Sequence, residues 1–152
     1  MINDMQKGFL KTMSIIFYAL LAGQLLFIVV ALFTVNSIAP QNQDNDTFNI
    51  IVPVIVGSGM FISNVLFKQL LGKIDNNLSF EKKIEAYRSA LIIKYVLLEV
   101  PSIFSTTVFL MSGNLMFLAF SAVTILAFLV NIPNRNKIAQ ELNLSNAEAD
   151  ML

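Results

Sequence analysis

An all-α integral membrane bundle of four helices is the fold this chain predicts, on three observations. Of its 152 residues 56% are hydrophobic and 13% charged, with a mean hydropathy of +0.70, and a water-soluble domain this apolar would expose large aggregating patches. Four apolar stretches, residues 13–35, 48–67, 89–111 and 115–132, meet or approach the roughly twenty residues that cross the hydrocarbon core as a helix. All ten Lys and Arg residues fall on one side of the resulting layout.

The first span follows Met1–Lys7, which lacks the short basic start and small-residue cleavage site of a secretory signal, so it is expected to be retained. Its Ala19 and Gly23 stand four apart and would allow close helix approach. The polar connection at 36–47 carries Pro40, Asp44 and Asp46, which read as solvated loop acids. In the second span Gly59 and Ser63 repeat the small-residue spacing, and Gly57-Ser58-Gly59 reads as close packing ahead of a broken segment. The connection at 68–88 is charged, and its 72–88 portion is amphipathic: Phe80, Ile84, Tyr87 and Leu91 recur at helical spacing while Lys82, Lys83 and Glu85 face elsewhere. A helix is expected from near Ser79, either entering the third span directly or lying along the membrane surface. Ser112-Gly113-Asn114 predicts a tight turn that makes the last two spans an antiparallel hairpin. The 134–152 tail offers Asn134 as an N-cap and Ile138 with Leu142 as an apolar stripe, predicting a brief helix and a mobile acidic terminus. Tyr18–Phe27 resembles Tyr95–Phe104, a hint of duplicated hairpins.

Charge sets the expected orientation. Lys7 and Lys11 precede the first span; Lys68, Lys73, Lys82, Lys83 and Arg88 occupy the middle connection, with Lys94 a turn inside the membrane; Arg135 and Lys137 follow the last span. The positive-inside rule then places both termini and the middle loop in the cytoplasm, in an inner (plasma) membrane.

Glu99 is the residue that most invites a functional reading. It lies about ten residues into the third span, and a carboxylate at that depth is costly unless neutral, paired or wetted. Pro101 cannot donate to the carbonyl of Leu97, freeing an acceptor nearby. Glu85, Arg88, Ile92, Tyr95, Glu99, Ser102 and Thr106 form one helical stripe from the basic end to mid-membrane, a candidate proton or ion route or a helix seam. By counting, Gln24, Ser58 and Thr124 stand at the same depth as Glu99, where they serve either to support a bound proton or cation or as interhelical glue. Arg88 and Lys94 read as a cytoplasmic entrance or as contacts for lipid headgroups; Lys94 is expected to snorkel, since five residues turn it about 140° away from Glu99.

The stretch Arg88-Ser-Ala-Leu-Ile-Ile-Lys-Tyr-Val-Leu-Leu-Glu99-Val-Pro-Ser-Ile-Phe104 resembles the carboxylate-bearing helix of the proteolipid subunit of rotary ATP synthases. In that family an Arg opens the helix, the ion-carrying carboxylate follows eleven residues later, and a small residue or proline and Ile-Phe often come next. The resemblance implies reversible protonation or sodium binding at Glu99.

The absence of Cys and His removes disulfides, thiol catalysis, His acid–base chemistry and the usual zinc sites. No nucleophile with an orienting partner and no Gly-rich phosphate loop is visible, so no enzyme, metal or cofactor is expected. Two functional classes remain: a subunit of a membrane complex whose Glu99 binds a proton or cation, or an accessory subunit whose Glu99 pairs with a partner's basic residue. The expected partners are the lipid bilayer and other membrane proteins or further copies of the chain, without nucleic acid.

Overall fold

A bilayer offers the backbone no hydrogen-bond partners of its own, so apolar runs of this length close their amides internally as helices. The computed structural model describes residues 8–35, 46–150 and 152. Its elements are α1 (Phe9–Val35), α2 (Asp46–Gly72), α3 (Phe80–Ser112), α4 (Leu115–Leu129), α5 (Arg135–Glu141) and α6 (Asn146–Ala149), and no strand occurs among the described residues. Residues 1–7, with Lys7, and the 36–45 connection, with Pro40 and Asp44, lie outside the described residues, as does the side chain of Asp46.

Helices α1, α2 and α3 are long and apolar enough to cross a membrane. Each begins or ends several residues beyond its apolar window, because the polar residues that close the window do not break a helix. The helix predicted from near Ser79 enters the third span without interruption, with extended Ser79 as its N-cap. Helix α2 likewise runs unbroken through Gly57-Ser58-Gly59. The fourth helix is shorter than its expected 18-residue window: α4 has 15 residues, about 22 Å of rise. It stops at Leu129, and the Asn131 side-chain amide donates to the Ala127 carbonyl at 2.7 Å. Pro133 then disfavours helical backbone at Ile132.

Helix α3 is the hub and packs against α2, α4 and α1. It runs parallel to α1, with ring contacts from Phe9 to Tyr87 and from Phe17 to Tyr95. It turns back into α4 through Gly113, whose φ of 68° lies in the left-handed region that glycine tolerates. Asn114 then caps α4, accepting from the Met116 N–H at 3.0 Å. Half of the apolar window of α3 is buried (50%), against 17% for α1 and 22% for α2, so the two flanking helices supply the apolar perimeter. Ala19 and Gly23 belong to that perimeter; both are exposed, and Gly23 faces open space. Their expected close approach is therefore not made among the described residues.

Gly59 does make one. A Cβ there would overlap Pro101 Cγ and stand 3.2 Å from the Leu97 carbonyl oxygen. Helix α2 thus seats its backbone on the proline ring and on the carbonyl that the proline leaves without its helical donor.

The tail differs from expectation. Asn134 caps α5, accepting from the Asn136 N–H at 2.9 Å, but the acidic terminus folds back. Ile138, Leu142 and Leu152 enter the core at the basic end of the bundle. The Arg135 Nε donates to the Ala149 carbonyl at 2.9 Å, and its guanidinium pairs with Asp150. Lys83 Nζ lies 3.9 Å from Glu148. Apolar residues spaced along the tail, including one at its last position, give it a surface to dock with.

Gly59→Val is expected to destabilise the bundle by about 1–3 kcal/mol through overpacking. Gly23→Val, pointing into open space, should leave stability nearly unchanged. Thermal unfolding of both variants in one detergent checks the difference.

Candidate functional site

The stripe on α3 is not uniformly buried. Glu85 and Arg88 are exposed at the basic end, Ile92 and Glu99 are half-buried, and Tyr95, Ser102 and Thr106 are fully inside. Tyr95 packs on Phe17 of α1 and Phe128 of α4, and its hydroxyl donates to the Asn131 carbonyl at 3.0 Å. One turn of helix beyond Glu99, the Thr106 and Ser121 hydroxyls lie 2.8 Å apart and 2.9 Å and 3.0 Å from the Ser102 carbonyl. With one proton each, one hydroxyl donates to the carbonyl while the other donates to its neighbour. Thr124 continues the seam on α4, donating to the Ser121 carbonyl at 2.8 Å.

Gln24 approaches from the other flank. The parallel register that pairs Phe17 with Tyr95 puts Leu21 level with Glu99 and Gln24 level with Ser102. Gln24 is 2% exposed, and among the described residues neither its amide nitrogen nor its carbonyl oxygen has a hydrogen-bond partner; the hydroxyl of buried Ser105 is likewise unpartnered there. Sequestered amides without partners carry a desolvation penalty, which makes this the least satisfied part of the described bundle.

Glu99 sits at the edge of this seam, on the side of α3 that meets α1 and α4. No described residue pairs with its charge or donates to it. Ser58, expected at the same depth, does not join the group: it is exposed, and its hydroxyl donates to the Ile55 carbonyl of its own helix at 3.1 Å. The buried serine of α2 is Ser63, and it too donates within its helix, to Met60 at 2.9 Å. Arg88 likewise stands outside, on the exposed surface.

Lys94 departs from its expected snorkelling. It is 5% exposed, and its Nζ lies 4.4 Å from the centroid of the Phe67 ring, on the α2 side of α3 and turned away from Glu99. Comparison with known protein families, characterised sequences and solved structures finds no match. The chemistry of the site therefore rests on these residues alone.

Sequence reasoning missed Ser121, Ser105 and Asn131. Ser121 stood three residues before Thr124, a helical spacing that would have found it; Ser105 and Asn131 needed the rotational setting of α3 and the end of α4. The shared hydrogen bond of Thr106 and Ser121 is expected to couple the two residues by about 0.6 kcal/mol. A double-mutant cycle of Thr106→Val and Ser121→Ala in detergent unfolding checks it, with Ser58→Ala as a neutral control.

Proposed function

We propose that this chain is a small subunit of a membrane complex in which Glu99 reversibly binds a proton or a cation. In this reading it crosses an inner (plasma) membrane four times, α4 included, with both termini and the α2–α3 connection in the cytoplasm. The observation that carries the role is the half-buried, unpaired carboxylate of Glu99 beside a seam that still holds the unpartnered amide of Gln24. A carboxylate without a fixed counter-charge at membrane depth is a candidate for ion or proton exchange by default. The resemblance of residues 88–104 to the proteolipid helix points the same way. The basic residues described at α1, α2, α3 and α5 gather at one end of the bundle, which supports the orientation.

A second reading rests on the half-exposure of Glu99: a neighbouring helix can reach it, so a partner's Lys or Arg would satisfy the carboxylate in an accessory subunit.

A hydrophobic carbodiimide, which attacks protonated carboxyls, tests both readings. Glu99 in the purified protein should acquire the adduct, with labelling slowed by rising pH or by sodium and abolished in Glu99→Gln. Labelling insensitive to pH and to cations would sink the exchange role. Protection in native membranes that disappears on purification would favour the paired, accessory role.

A further inference from the structure

A cleft at the basic end lies on the α2 side of α3, turned away from Glu99. It has a volume of about 610 Å³ between the C-terminal part of α2, α3, the end of α4 and α5, and its polar lining comprises Asn64, Lys68, Lys94, Asn131, Lys137 and Glu141. Its apolar lining includes Phe67, Leu71 and Val130. The volume falls within the roughly 300–1,000 Å³ range of small-ligand sites.

The charges in this cleft do not balance. Three ammonium groups face one carboxylate, leaving a net of two positive charges. None of the three lysines forms an ion pair among the described residues. Glu141 is engaged elsewhere, accepting the Tyr87 hydroxyl at 2.6 Å. Asn64 spends an amide hydrogen on the Met60 carbonyl of its own helix and Asn131 one on the Ala127 carbonyl of α4, so the lysines are the principal ligands available to an anion. Lys94 makes the imbalance most acute. It is almost wholly buried, and the Phe67 ring covers only one side of its ammonium. A sequestered cation without a carboxylate partner calls for an anion, and lysine is a point-charge ligand well suited to phosphate.

We propose that this cleft binds a phosphate-bearing anion, held by Lys68, Lys94 and Lys137 against the Phe67 wall. The same chemistry has two sources, the headgroup of an anionic lipid and a soluble phosphate ester. The inference is independent of the role of Glu99.

The test uses the full chain in a neutral detergent, titrated separately with dioleoylphosphatidylglycerol, with glycerol 3-phosphate and with dioleoylphosphatidylcholine as baseline, and read by native mass spectrometry. The decisive variant is Lys68→Gln/Lys137→Gln, which leaves buried Lys94 in place. Its control is Lys73→Gln/Lys82→Gln, the same loss of charge at exposed positions outside the cleft. The cleft variant should bind about 30-fold more weakly, the effect of two lost charges, while the control binds as the wild type does. That loss seen with the lipid identifies a headgroup site; the same loss with glycerol 3-phosphate identifies a soluble ligand. If neither titrant binds better than the phosphatidylcholine baseline, or if both double variants weaken alike, the cleft is not the site and the proposal is overturned.

Discussion

The bundle depends on how α3 accommodates Pro101. A proline within a membrane helix removes one donor and frees one carbonyl, in a solvent that cannot replace the lost bond. Here the freed carbonyl of Leu97 and the proline ring form the surface on which Gly59 seats α2. Glycine brings Cα hydrogens, weak donors in their own right, as close as any backbone can come. One residue later, the Ser102 carbonyl and the Thr106 and Ser121 hydroxyls form one hydrogen-bonded group that ties α3 to α4. Two of the three interfaces of the hub helix therefore meet at adjacent positions of one chain. Lipid gives no hydrophobic preference between helices, so close backbone contact and a few hydroxyl bonds decide which faces meet.

That dependence explains what the sequence disclosed. Apolar runs of near-membrane length, together with the turn at Gly113, were enough to predict a helical bundle and its final hairpin. Helix ends were less legible, since hydropathy falls at Lys68 or Arg88 while helix propensity does not. Rotation was the hardest quantity to read. Ser58 and Ser63 are five residues apart in the same apolar run, yet one is exposed and the other sealed. Nothing local distinguishes them; the seating of Gly59 on Pro101 sets which face of α2 turns inward.

Lys94 shows the same limit at longer range. In isolation a lysine one turn inside a span has a low-cost solution, extending its ammonium to the headgroups. In the folded chain Phe67 of α2 lies beneath it, and α5, over forty residues further on, brings Lys137 and Glu141 to the same cleft. The tail reaches that place because Ile138, Leu142 and Leu152 dock with the core and Tyr87 bonds Glu141. The stripe at Ile138 and Leu142 was visible in the sequence; its docking surface was not.

Glu99 and Lys94 are opposite charges on one helix that do not neutralise each other, and the geometry gives a physical reason for their different treatment. Lys94 faces α2 and rests on an aromatic ring, whose negative π-face offers a buried ammonium part of what water would supply. An aromatic face offers a carboxylate no such compensation. Glu99, on the side toward α1 and α4, has neither a cation nor a donor among the described residues. Its nearest level on α1 is Leu21, and the unpartnered amide of Gln24 stands one turn further on, beside Ser102. The cation on α3 is thus partly provided for within the chain, whereas the carboxylate is left to a proton, a cation or a partner's charge. This asymmetry makes Glu99 the stronger candidate for exchange and Lys94 the stronger candidate for holding an anion in place.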